Sequence, residues 1–259
     1  MISDDVLSYY KRLRNGQELK EFLKDHIRDG ITVMEDIDNS RLEKFVTGRL
    51  HVHDFKDLVR LAVVFHDAGK AFYQTERNLR EDRDSGDRYL SFTGHEFISA
   101  YIADRFVKEK NIQGYAPDLY SVVFAVYFHH HAIDIDRRER EAIFRLRHIS
   151  QAEFGTAKEK LKGVLELFIQ GEDKGFLMKC LDRLSISRLN NLALRQIGNE
   201  IYDRMVHRPN PRLRKLSLIV LDCLIACDYL SAKNRESSES EFSRVISKFY
   251  DTWMRRHVS

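Results

Sequence analysis

Apolar positions along the chain recur with helical spacing in most segments, at three- and four-residue intervals rather than two. This spacing predicts helices near 16–28, 40–49, 55–72, 93–110, 116–131, 138–148, 156–170, 174–206 (with one break), 212–233 and 242–257. No segment sustains a two-residue alternation between turn residues, so strands are expected to be few or absent. The expected fold is all-α, a helical bundle. Two segments are apolar nearly all round, residues 58–65 (Leu-Val-Arg-Leu-Ala-Val-Val-Phe) and 122–128 (Val-Val-Phe-Ala-Val-Tyr-Phe). A helix without a polar face is a buried one, although the β-branched content of both would also suit a strand. Each runs straight into a polar cluster.

Between the helical patterns, residues 76–90 are dense in Arg, Asp and Glu around Ser85-Gly86 and read as a solvated, mobile loop. Residues 233–241 (Lys-Asn-Arg-Glu-Ser-Ser-Glu-Ser-Glu) read as a linker. Beyond it Phe242, Val245, Ile246, Phe249, Tyr250 and Trp253 share one helical face, expected to pack on the same domain rather than on a partner. The resulting division is a domain of residues 1–232, a linker and a C-terminal amphipathic helix within 242–259. Only 12 glycines and 3 prolines occur in 259 residues, which disfavours a many-turned β architecture. With 43 Lys+Arg against 40 Asp+Glu, the net charge of +3 is no signature of tight nucleic-acid binding, so any such contact must come from local patches. Three cysteines without a C-x-x-C pair argue against a disulfide framework or a thiolate zinc site. The opening Met1-Ile2-Ser3-Asp4-Asp5 lacks an apolar leader core, and the most apolar stretch, 216–230, is interrupted by Asp222 and Asp228. A cytoplasmic protein with no membrane span is expected.

The candidate chemistry lies in the histidines. His66-Asp67 end one apolar helix and are followed by Ala68-Gly69-Lys70. A buried carboxylate is costly unless paired or metal-bound. Lys70 falls on the same helical face as Asp67, and the two small residues leave room for close approach of backbone or substrate. A bare His-Asp doublet is common: His53-Asp54, in a polar helix start, is read as structural. His129-His130-His131 follow the second apolar helix. Successive helical residues diverge by about 100°, so at most two of the three can face one ion, and only if the helix ends there. His95 sits in Thr93-Gly94-His95-Glu96, His26 in Leu23-Lys24-Asp25-His26-Ile27, and Asp228 lies on an apolar helix with Asp222 as its rival. In chain order the set reads H…HD…H…HH…D. Such imidazole and carboxylate ligands suit manganese, iron, cobalt, nickel or zinc. Seven ligands are too many for one ion and suit two, with a carboxylate such as Asp67 able to bridge them. Two divalent ions so placed serve in-line displacement at phosphorus.

This ordered pattern resembles the HD phosphohydrolase superfamily. The runs His-Asp-Ala-Gly-Lys, Gly-His-Glu, His-His and Asp-Tyr-Leu-Ser-Ala resemble most the HD nuclease of type I CRISPR interference systems. With no G-x-x-x-x-G-K-[ST] phosphate loop in the chain, the free-standing form of that nuclease is expected, rather than the helicase fusion. The resemblance implies a helical fold with His26, His66, Asp67 and Asp228 around one metal. It puts Asp67, His95, His129 and His130 around a second, and Lys70 beside the reactive phosphate. The metals implied are manganese, nickel, cobalt or iron, with magnesium a further candidate. Because the family's double histidine is commonly followed by a small residue, the pair is His129/His130 or His130/His131, and the first is taken. The implied activity is metal-dependent cleavage of single-stranded DNA or RNA, by endonuclease and sometimes 3′-to-5′ exonuclease action. The implied partners are a separate CRISPR helicase and an RNA-guided surveillance complex. The alternatives are an HD phosphohydrolase acting on nucleotides or cyclic nucleotides, and an interaction module with a structural metal. Two basic segments could track a nucleic-acid backbone: 137–148, and 207–215. Tyr73, Phe92 and Tyr127 are candidate stacking platforms, by nearness in sequence.

Overall fold

The computed structural model describes residues 3–111, 117–130, 134–189, 191–207, 210–232 and 240–256. Eleven α-helices occur among them, beside one small sheet, so the bulk of the fold is helical, as the apolar spacing predicts. Its centre is α5 (Tyr120–Phe128), where the core takes every side chain of 120–127 except Phe124, itself partly buried. It packs against α4 (His95–Asn111) and α10 (Pro211–Ser231). α1 (Leu23–Glu35) and α3 (Phe55–Phe65) lie against α10, with α2 (Arg41–Phe45) between them in the chain. The long α10 starts sharply: Pro211 occupies its first turn and the Asn210 side chain accepts from the Leu213 amide.

α3 stops at Phe65, short of the 55–72 helix that the spacing predicts. Asp67 leaves the helical region (φ −104°, ψ 4°) and a 3₁₀ turn, Ala68–Tyr73, follows. The cause is tertiary. The turn lies against the start of α4 so closely that a Cβ on Gly69 would sit 2.2 Å from the His95 carbonyl oxygen. The small residues of His-Asp-Ala-Gly-Lys therefore serve backbone approach.

The N-terminal region departs furthest from expectation. A four-stranded antiparallel sheet, order β2-β1-β4-β3, forms from β1 (Leu7–Arg12), β2 (Glu18–Phe22), β3 (Leu79–Glu81) and β4 (Arg88–Leu90). The stretch 16–28 is thus a strand before it becomes α1 at Leu23, and 76–90 is not a plain loop. Its hairpin turn uses Gly86 at φ +71°, and Asp87 and Leu90 are buried. Strands of three to six residues carry little periodic signal, and β1 meets β4 (Lys11 opposite Tyr89) only through long-range pairing. Gln74 clamps the sheet to the 3₁₀ turn: its side chain accepts from the Leu7 amide at 3.1 Å and donates to the Leu7 carbonyl at 3.0 Å.

The segment 174–206 divides between α8 (Gly171–Asp182) and α9 (Asn191–Tyr202), after α6 (Ile135–His148) and α7 (Gln151–Leu165). The linker 233–241 lies outside the described residues apart from Ser240, which caps α11 (Glu241–Phe249), and Glu241. α11 rests on α10 through buried Ile246 and a Phe242–Tyr229 ring contact, while Val245 and Trp253 stay exposed. No described helix is long and apolar enough to cross a membrane.

Candidate metal centre

The centre is assembled where helices end. His66 directly follows α3, and His129 and His130 directly follow α5. His95 opens α4, His26 lies in the first turns of α1, and Asp228 lies in the last turn of α10. Asp67, 1% exposed, stands at the middle. Its Oδ2 lies 3.5 Å from Nε2 of both His26 and His66, and its Oδ1 lies 2.8 Å from His95 Nε2 and 3.9 Å from His129 Nε2. Asp228 Oδ1 reaches His26 Nε2 at 3.0 Å and His66 Nε2 at 3.6 Å. Nε2 of His130 lies 3.2 Å from that of His95. Two four-residue groups result: His26, His66, Asp67 and Asp228, and Asp67, His95, His129 and His130, the ligand atoms of each lying within 4.8 Å of one another. Asp67 belongs to both. His131 lies outside the described residues.

The proton positions fit cations. Nδ1 of His66, His95 and His129 each lies 2.7 Å from the carbonyl oxygen three residues earlier, of Val63, Phe92 and Val126. A carbonyl only accepts, so each Nδ1 carries a proton, and Nε2 is the nitrogen that faces inward, where a neutral ring offers its lone pair. The Ser231 hydroxyl donates to the Asp228 carbonyl and accepts from His26 Nδ1 at 3.1 Å, which sets the same tautomer there. Lone pairs of His26 and His66 then meet at 3.3 Å. Buried His129 Nε2 has no hydrogen-bond partner, an unpaired state that is costly without a ligand. Lone pairs and carboxylate oxygens pointed at one another repel unless a cation lies between them, so the donor set fits divalent metals.

The electrostatics divide: burial works against charge on His66, but Asp67 and Asp228 outweigh it and raise His66 above its usual value. Burial, with His66 and His95 nearby, pushes His129 down to about 3 and keeps its ring neutral. Burial works against the ionised form of Asp67, but Lys70, His66 and His95 outweigh it and hold the carboxyl well below the usual range. Asp228 is likewise held low against burial by His26 and His66. Lys70, 6% exposed, donates to Asp67 Oδ2 at 2.6 Å and to the Ser8 carbonyl at 3.2 Å, its ammonium 5.2 Å from the centre of the Phe92 ring. Asp228 and His130 alone in the set are partly exposed, and they mark the open side.

Several residues separate from the centre, His53 and Asp54 as expected and others against expectation. His53 and Asp54 are exposed, and so is Asp222. Tyr73 and Tyr127 are buried and cannot serve as stacking platforms; Phe92 is partly buried. Of the basic positions, Arg212 is held by Asp118 and the Leu50 carbonyl, and Arg214 by the Met205 carbonyl. Sequence reasoning did not assign roles to Ser231, to Glu21 (3.5 Å from His26 Nδ1) or to Ser99, whose Oγ accepts from the Gly69 amide at 2.8 Å. Ser231 alone left a signal: it follows Asp228 by three residues in Asp-Tyr-Leu-Ser. Glu96, beside His95, accepts from Arg138 Nε at 2.5 Å and fastens α6 beside the centre.

No curated protein and no solved structure matches the chain. The HD domain family matches residues 25–160, more than half of the 259 residues, and the match takes in every member of the two groups except Asp228. The doublet that characterises such domains is the His66-Asp67 pair around which the other imidazoles converge, and by that match and this buried centre the chain belongs to the HD domain family of metal-dependent phosphohydrolases.

Proposed function

We propose that this protein is a two-metal nuclease that cleaves single-stranded nucleic acid, with DNA favoured over RNA. The observation that carries the reading is the division of Asp67: one carboxylate oxygen faces His26 and His66, the other faces His95 and His129. His26, His66, Asp67 and Asp228 would hold one divalent ion, and Asp67, His95, His129 and His130 the other. When bound, the pair supplies Lewis acidity at phosphorus and a water activated near neutral pH. The protein's own part is to hold Asp67 ionised through Lys70, to turn Nε2 of His26, His66, His95 and His129 inward, and to leave one side open at Asp228 and His130. A flexible strand brings its phosphate to such a recessed centre more readily than a stiff duplex. The resemblance of the His-Asp-Ala-Gly-Lys and Asp-Tyr-Leu-Ser-Ala runs to type I CRISPR nucleases supports a place in CRISPR interference. The partners there would be a separate helicase and the RNA-guided surveillance complex.

The test is a digest of matched labelled single strands, blunt duplexes and free nucleotides with Mn, Ni, Co or Mg, resolved on denaturing gels. Single strands are expected to be cut well above duplexes. Rapid hydrolysis of nucleotides or cyclic nucleotides with strands left intact would instead establish the nucleotide phosphohydrolase alternative.

Lys70→Ala separates cation from ligand. Lys70 donates to Asp67 but is no metal ligand, so the variant is expected to keep both ions. Turnover should fall by roughly 10²–10³, the usual cost of one lost electrostatic contact at a reacting centre. Metal analysis beside the rate checks this. A variant that loses metal in step with rate would assign Lys70 to holding Asp67 in place.

A further inference from the structure

α6 presents two opposite faces. Glu139, Ala142, Ile143 and Leu146 turn inward, whereas Arg137, Arg140, Phe144, Arg147 and His148 are exposed. At about 100° per residue, positions 137, 140, 144, 147 and 148 fall on one side of the helix. The basic run thus sorts by role. Arg138 is bound to Glu96, and Arg145 is bound to Asn78 and lies over the Tyr73 ring. Of the neighbouring acids, Glu139 is engaged with Arg195 at 3.4 Å, Glu141 with Arg145 at 3.7 Å and Glu153 in the cap of α7, while Asp136 is exposed at the start of the helix. Among the described residues no carboxylate pairs with Arg137, Arg140 or Arg147.

Phe144 is 58% exposed, its ring 4.3 Å from that of His148. A concavity lies on either side of it. One, of about 490 Å³, is lined by Arg137, Arg140, Arg147 and Arg195 together with Glu141; the other, of about 250 Å³, by Arg77, Arg80, Arg145 and His148 together with Glu153. In a chain whose charges otherwise nearly cancel, unpaired guanidiniums around an exposed ring are a local feature. They match the two halves of a nucleotide, an anionic phosphate and a flat base.

We infer that the outer face of α6 is the track on which a single-stranded polynucleotide lies, its phosphates on Arg137, Arg140 and Arg147 and a base stacked on Phe144. The inference rests on the nuclease reading, and α6 is positioned for it. The helix begins a few residues after His129 and His130, and Arg138 ties it to Glu96, the neighbour of His95.

The experiment measures binding of a fluorescent phosphorothioate oligothymidylate, which resists cleavage, to the metal-loaded full chain over a range of salt. Each lost phosphate contact lowers the log–log salt slope of a single strand by about 0.7. The triple variant Arg137→Ala/Arg140→Ala/Arg147→Ala is therefore expected to lose about 2 from the slope. Phe144→Ala should weaken binding by about tenfold with the slope unchanged, as loss of one stacked base does. Arg41→Ala, an exposed arginine on α2, should match wild type. Circular dichroism confirms the fold of each variant. A triple variant indistinguishable from Arg41→Ala, or a wild type that does not bind the strand, overturns the proposal. Hydrolysis of bis(p-nitrophenyl) phosphate by wild type reports on the centre alone. Binding as described without any hydrolysis would sink the nuclease reading and leave the track; hydrolysis without strand binding would do the reverse.

Discussion

Asp67→Ala is expected to abolish hydrolysis and to release both metal ions together. Asp67 alone belongs to both ligand groups, with one oxygen toward each. Asp228→Ala removes a ligand from the first group only and should leave the His95, His129 and His130 side loaded. The contrast, two ions lost against one, is read by metal analysis of purified variants and does not depend on knowing the substrate. Asp67→Ala also strands Lys70, whose ammonium lies 2.6 Å from Asp67 in an almost closed environment. Breaking a buried pair by removing one partner costs about 3–5 kcal/mol, so the melting temperature should drop as well. Because the metals bind the folded state, chelation of wild type should reproduce part of that drop. An Asp67→Ala protein with both ions and full turnover would refute the assignment.

Gly69→Ala is expected to damage the site without touching a ligand. The added methyl would meet the His95 carbonyl oxygen at 2.2 Å and its carbon at 3.0 Å, both backbone atoms that no rotamer change can move. Either α4 shifts, carrying His95 off Asp67, or the 3₁₀ turn shifts, carrying Lys70 and Asp67. Overpacking of this kind costs about 1–3 kcal/mol, and in a chain this size each kcal/mol lowers the melting temperature by roughly 2–4 °C. Turnover should fall with it. Gly163→Ala is the control: this glycine lies within helix α7, and an added Cβ there meets nothing within 4 Å. That substitution should stabilise by about 0.5–1 kcal/mol, the helix-propensity difference. If Gly69→Ala melts and turns over as wild type, the close approach of the turn to α4 is not what holds His95.

The helical interior was legible because burial and periodicity are local. Residues 58–65 and 122–128 have no polar face, so a helix there can only be central, and both are. The strands were hidden for the converse reason. β1 carries Leu7 and Tyr10 inward on six residues, and its partner β4 is a three-residue strand nearly eighty positions away in a charge-rich stretch. What makes β4 a strand is the edge that β1 offers. The end of α3 was misplaced in the same way: propensity carries the helix through Lys70, whereas contact with α4 and the Gln74 clamp on β1 turn it into a 3₁₀ segment.

For the centre, the residue types and their order were determined by the sequence alone: an imidazole–carboxylate doublet after one buried helix, a histidine run after another, and a lone acid on a third. Chemistry of that kind is written in side chains, and expensive side chains beside apolar runs stand out in any reading. Tertiary structure decided the rest. It turned the two oxygens of Asp67 toward different histidines. It also settled the tautomers, through carbonyls of Val63, Phe92 and Val126 and the hydroxyl of Ser231. The physical reason is that a ligand needs direction as well as identity. Direction comes from where each helix stops and which neighbour holds the far side of each ring, and neither is encoded within the few residues of a motif.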